Sequence, residues 1–168
     1  MSERFTIHLD ELSKSILSDS YREQPYDNWV GNCVVANGCF DGLHPGHLSL
    51  FAHLDTLAYG ERLRPIVAIN SDESVRRLKG STRPVWPQEV RAKLINHLKW
   101  PLTVVIFDED TPQRLMDLLK PRVVLKGDQY AMDSVVRYHG NEYGGGSRVV
   151  TVPMLADWST SKILGDTR

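Results

Sequence analysis

Asn32-Cys-Val-Val-Ala-Asn-Gly-Cys-Phe-Asp-Gly-Leu-His-Pro-Gly-His47 changes character twice along its length. Cys33 to Ala36 is a short apolar, β-branched run, which suits a buried strand. Asn37-Gly38 and Phe40-Asp41-Gly42 are consecutive turn signals. From His44-Pro45-Gly46-His47 onward, Leu48, Phe51, Leu54 and Leu57-Ala58 recur at helical spacing and define one apolar stripe. Pro45 belongs in a first helical turn, where its missing N–H costs nothing. The stretch therefore predicts a strand, a loop and a helix in direct succession.

Such a junction is suited to anions. The first N–H groups of a helix have no partner inside it, and the helix dipole favours negative charge there. Gly38, Gly42 and Gly46 carry no side chain, so a polyphosphate can approach the backbone closely. His44 and His47 are three residues apart and share one side of the first turn, where both can donate to one phosphate group. Asp41 adds a carboxylate at the same mouth, a candidate to hold Mg²⁺ indirectly or to fix a histidine tautomer. The bland alternative is a tight turn with two surface histidines.

Outward from this junction the chain alternates. Strands are predicted at Pro65–Asn70, Leu102–Phe107, Val123–Lys126 and Arg148–Val152. Between them, Ser71-Asp72 caps a short helix ending near Gly80, and Pro87 opens one that buries Val90, Leu94, Ile95 and Leu98. Thr111-Pro112 opens a third helix, and Ser159-Thr160-Ser161 begins a last one. Alternating β and α elements argue for a five-stranded parallel sheet with helices on both faces. In such sheets ligands bind beyond the C-terminal strand ends. Asn37 to His47, Asn70 to Asp72, Lys126 to Asp128 and Ser159 to Ser161 all map there.

Residues 1–30 read as an N-terminal helical extension and linker, with Leu9, Leu12, Ile16 and Leu17 on one helical face; residues 31–168 form the domain proper. The extension is free to pack on the domain, to cover the site or to join a homodimer interface. The formal charge of −1 and the absence of a long basic run disfavour nucleic acid as the main partner. No apolar run approaches the ~20 residues of a membrane span, and no signal peptide opens the chain. Cys33 and Cys39 read as free thiols of a reducing, cytoplasmic setting, and their spacing fits no usual zinc pattern.

Gly38-x-Phe40-Asp41-x-x-His44-x-Gly46-His47 resembles the signature of the HxGH nucleotidyltransferases. Asn70-Ser-Asp72, Lys79-Gly80, Arg83-Pro84, Arg91, Asp110-Thr-Pro112, Lys126-Gly127 and Ser159-Thr-Ser161 extend the likeness toward the heptose-phosphate adenylyltransferases. The resemblance implies a Rossmann-like domain that moves a nucleotidyl group from a nucleoside triphosphate to a phosphorylated acceptor. ATP and a sugar 1-phosphate are favoured, with Mg²⁺ carried by the nucleotide and no metal site of the protein's own. Physically, such chemistry asks for positive charge and donors around a triphosphate. His44, His47, Lys79 and Arg91 are the expected catalytic residues. Asn37, Gly38, Phe40, Asp41, Gly46, Lys126, Asp128, Ser159, Thr160 and Ser161 are assigned to the nucleotide, and Asn70, Asp72 and Arg83 to the acceptor. The chain departs from the family at Asp128-Gln129, where the heptose-phosphate enzymes carry Gly-Asp; this is closer to the glycerol-3-phosphate cytidylyltransferases. A CTP-dependent enzyme acting on an alcohol phosphate is therefore one alternative. An FMN adenylyltransferase and an inactive nucleotide-binding regulator are the others.

Overall fold

A computed structural model describes residues 6–17, 29–127 and 146–153 of the chain. The order of elements is β1 (Thr6–His8), α1 (Leu9–Leu17), β2 (Cys33–Gly38), α2 (Pro45–Glu61), β3 (Arg64–Asn70), α3 (Asp72–Lys79), α4 (Gln88–Asn96), β4 (Thr103–Phe107), α5 (Gln113–Leu119), β5 (Val123–Gly127) and β6 (Arg148–Val152). The strands form one sheet in the order β1-β4-β3-β2-β5-β6, and every pairing is parallel. The sheet thus has six strands, one more than the sequence predicts. Thr6–His8 supplies the extra strand, docking on β4 through Ile7 beside Val105. Three residues are too few to carry a legible alternation, so only the neighbouring helix could be read.

Strand residues alternate between two cores, as a pleat requires. Val34 and Ala36 face one side with Leu50, Phe51, Leu54, Ala92 and Ile95, which places α2 and α4 there. Cys33 and Val35 face the other side with Leu9, Leu12, Leu115, Met116 and Leu119, which places α1 and α5 there. Both faces are covered, which is why β2 to β5 read as continuous apolar runs. In α4 the buried residues are Arg91, Ala92 and Ile95, and Leu94 is exposed, contrary to the apolar stripe expected at Val90, Leu94, Ile95 and Leu98. The polar Arg91 takes a core position there. Helix α2 runs past Gly60 and is capped by Arg62, which adopts the left-handed conformation at φ 55°. Among the described residues no helix is long and apolar enough to cross a membrane.

The chain leaves β2 toward β3 on one side and reaches β5 on the other, so β2 is the switch point of the sheet. The loop after β2 and the end of β5 lie at the same edge of the sheet, where ligands of such folds bind. That places residues 38–44 and Lys126 side by side.

Candidate active site

The loop after β2 is built around Phe40. Its backbone is left-handed at φ 48°, and its ring folds back over Gly38. A Cβ at Gly38 would meet Phe40 Cζ at 3.2 Å, so the ring occupies the space the glycine leaves. Gly38 therefore serves the loop's own packing, and the close approach expected for a phosphate at Gly38 is taken by Phe40. Gly42, at φ 93°, supplies the second reversal. Phe40 packs edge-on against the His47 ring at 5.0 Å and tilts on Phe51 at 5.1 Å, which anchors the loop to α2.

His44 is the N-cap of α2 and Pro45 opens the helix, yet no side chain caps this end. No acidic residue lies in its first turn. Helix α3 differs: Ser71 Oγ accepts from the Ser74 amide at 3.3 Å, and Asp72 and Glu73 occupy the first turn. Helix α5, opened by Pro112, also lacks a side-chain cap and a first-turn acid, so the uncapped start of α2 is distinguished by the two histidines beside it.

The imidazoles of His44 and His47 stack with centroids 3.7 Å apart. His44 Nδ1, His47 Nδ1 and Asn37 Oδ1 are buried with no hydrogen-bond partner among the described residues. Buried polar atoms are nearly always partnered, so these three, at the end of β2 and the start of α2, are open to water or a ligand. Burial lowers the His44 pKa. It lowers that of His47 to about 3, assisted by the adjacent His44 and weakly opposed by the Gly42 backbone. Both rings are therefore neutral near pH 7 with one N–H each, and that of His47 is engaged by the Gly42 backbone.

Positive charge gathers at Cys39. Burial raises this thiol's pKa, and Lys79 and Arg91 pull it down. Lys79 sits exposed in the last turn of α3. Lys126, at the end of β5, is buried; desolvation lowers its pKa to about 8 while Cys39 acts in the opposite sense. Lys126 and Lys79 thus stand within electrostatic reach of the loop.

The structure moves several expected substrate contacts behind the loop. Arg91 is fully buried, and Nη1 donates to Cys39 O at 2.6 Å, Nε to Trp86 O at 2.9 Å and Nη2 to Asp72 Oδ1 at 2.8 Å. This guanidinium ties the loop after β2 to α3 and α4, which corrects its reading as a catalytic cation. Asp72, assigned to the acceptor, is its partner. Asp41 is 1 % exposed. Arg83 Nε and Nη2 each lie 2.6 Å from its Oδ2, the Val85 amide donates at 2.8 Å and the Trp86 amide at 3.0 Å. Neither a Mg²⁺ ion nor a histidine has an opening on this carboxylate, and Arg83 is its counter-ion. Asn70 is likewise internal: its Nδ2 donates to Ser74 Oγ at 3.0 Å and to Glu109 O at 3.4 Å. Among the described residues there is no group of three or more His, Cys, Asp or Glu able to hold a metal ion.

Asn37, Gly38, Phe40, Gly46, His44 and His47 belong to the end of β2, its loop and the start of α2, and Lys79 and Lys126 act electrostatically on Cys39 in the same loop. Asp128, Ser159, Thr160 and Ser161 lie outside the described residues. The sequence reading missed Cys39, Ser74 and the backbone of Val85 and Trp86 as parts of the loop's support.

The cytidylyltransferase-like family model matches residues 35–163. The bifunctional protein HldE of Gluconobacter oxydans is 45% identical over 132 residues, covering 78% of this chain and 26% of that protein. HldE of Rhodopseudomonas palustris strain TIE-1 is 42% identical over 158 residues, covering 92% and 31%. The chain thus spans between a quarter and a third of the length of these relatives. In fold it is similar to the lipopolysaccharide core biosynthesis protein of Thermoplasma volcanium, with a TM-score of 0.59 at 24% identity over 74% of this chain and 98% of that one. With the motif, the sheet order and the family match in agreement, the chain belongs to the cytidylyltransferase-like family of nucleotidyltransferases.

Proposed function

We propose that this chain transfers AMP from ATP to a sugar 1-phosphate, with release of pyrophosphate. One observation carries the placement of the reaction: His44 Nδ1, His47 Nδ1 and Asn37 Oδ1 are buried without partners among the described residues, at the uncapped start of α2. A phosphate oxygen of the acceptor attacks the α-phosphorus in line. The new P–O bond forms as the bond from the α-phosphorus to the bridging oxygen breaks, and pyrophosphate takes that electron pair. Neutral His44 donates to the phosphate oxygens on which charge grows, His47 exchanges its bond to the Gly42 backbone for the same oxygens, and the α2 backbone supports them. Lys126 and Lys79 add positive charge at the edge. No covalent enzyme intermediate is involved, since no Ser, Cys or Asp among the described residues is paired with a base as a nucleophile. Mg²⁺ arrives with the triphosphate as part of the substrate, and Asp41, closed by Arg83, does not hold it.

ATP and the sugar phosphate rest on the likeness of Asn70 to Arg91, Asp110-Thr-Pro112 and Lys126-Gly127 to the heptose-phosphate adenylyltransferases. Asp128-Gln129 keeps CTP with an alcohol phosphate as the second reading. Each base-edge hydrogen bond left unmade costs about 1–3 kcal/mol, so a preference of at least about tenfold is expected. Pyrophosphate release is to be measured for ATP and CTP against sugar 1-phosphates and glycerol 3-phosphate. A tenfold preference for CTP overturns the base choice. Nucleotide binding without pyrophosphate release from any pair points to a regulator.

A further inference from the structure

Asp41 presents an electrostatic problem. It lies three residues before His44 in the loop that must receive a triphosphate, and its carboxylate is buried. An unpaired anion at that place would repel the phosphates and would be costly to bury. Arg83 answers it from a segment 42 residues away, with two nitrogens at 2.6 Å from one carboxylate oxygen. The same carboxylate also accepts from the amides of Val85 and Trp86. Trp86 is then gripped on both sides, since its carbonyl accepts from Arg91. The segment 83–86 and the loop after β2 are in this way joined into one body through the Asp41 carboxylate, with Arg91 bridging Trp86 and Cys39 beside it.

We propose that Asp41 and Arg83 are a coupled pair of positioning residues. Arg83 acts on the reaction through Asp41, by cancelling its charge beside the incoming phosphates and by holding segment 83–86 against the loop; it touches neither substrate. The inference deepens the transferase reading and rests on it for its kinetic arm only.

The two ways an arginine can serve a phosphate site predict opposite double-variant behaviour. If Arg83 serves Asp41, then Arg83→Gln leaves a bare buried carboxylate, and adding Asp41→Asn removes that fault. The carboxamide that Asp41→Asn introduces would still offer an oxygen to the Val85 and Trp86 amides. If Arg83 binds the acceptor phosphate, Asp41→Asn cannot rescue its loss. The full chain is to be prepared as D41N, R83Q and D41N/R83Q, with melting temperature, kcat and both KM values measured.

R83Q is expected to melt lowest and to lose at least about tenfold in kcat/KM, with D41N/R83Q regaining most of both. The acceptor KM of D41N/R83Q should stay within about threefold of that of D41N. A double variant that melts below R83Q, or whose acceptor KM exceeds that of D41N by about tenfold, overturns the proposal. Should R83Q fail to fold, the comparison of D41N with D41N/R83Q still decides it. A wild-type chain that releases no pyrophosphate would defeat the transferase reading, and the melting arm, which needs no substrate, would still judge the pair.

Discussion

At the scale of single residues, the proposed chemistry rests on His44 and His47, whose Nδ1 atoms are buried and unmatched among the described residues. Removing one donor to developing phosphate charge costs about 10²–10³ in turnover. His44→Ala and His47→Ala should each lower kcat by at least about 10², with melting temperature as the control for folding; activity near wild type in either would contradict the assigned role. The same burial makes His47 a titratable liability. The unfolded chain takes up a proton near the ordinary value of 6.5, whereas the folded site refuses it until about 3. The unfolded state therefore binds more protons between these limits, and stability falls as pH drops from about 6.5 toward 3. His47→Gln should flatten this acid limb by up to about 1.4 kcal/mol per pH unit. Urea midpoints at pH 7 and pH 5 measure it, and an unchanged slope would mean that the ring is solvated in the folded state. The histidines were legible in the sequence because spacing alone places them together. The parts of Arg91, Asp41 and Arg83 were not, since nothing in a linear sequence says whether a cation faces a substrate or a carboxylate 42 residues away.

At the scale of elements, strand–loop–helix periodicity identified β2 to β6 and the helices between them, because buried parallel strands read as apolar runs and Ser71, Pro87 and Pro112 punctuate helix starts. It failed at β1, whose three residues draw their stability from β4 rather than from any pattern of their own. It also misjudged the face of α4, where Arg91 lies in the core and Leu94 outside it. Helix α1 was legible, but its consequence was not: Leu9 and Leu12 are buried against the same core as β2 and α5. Leu12→Ala should cost about 2–5 kcal/mol, as for other buried leucines. Lys14→Ala, on the exposed face, should stay within about 0.5 kcal/mol. Urea denaturation distinguishes them; equal effects would mean that α1 is only loosely attached to the sheet.

At the scale of the whole molecule, sheet order explains why the site is where it is. With β2 between β3 and β5, the loop after β2 and Lys126 fall at the switch point, and the uncapped start of α2 lies at the same edge of the sheet. The fold thus sets two neutral histidines at the helix start after β2, the strand next to that of a buried lysine, the arrangement on which the proposed in-line transfer rests. The parallel sheet and its switch point were legible from alternation alone, whereas the choice of base and acceptor depends on a few side-chain hydrogen bonds that periodicity does not encode. The central claim is direct transfer at this site, and ³¹P NMR of the full chain with nucleoside triphosphate, Mg²⁺ and a sugar 1-phosphate tests it most directly. The account predicts one pyrophosphate and one nucleotidyl-linked acceptor for each triphosphate consumed, with both signals lost in His44→Ala. Release of orthophosphate, or pyrophosphate with free nucleoside monophosphate and unchanged acceptor, would contradict it.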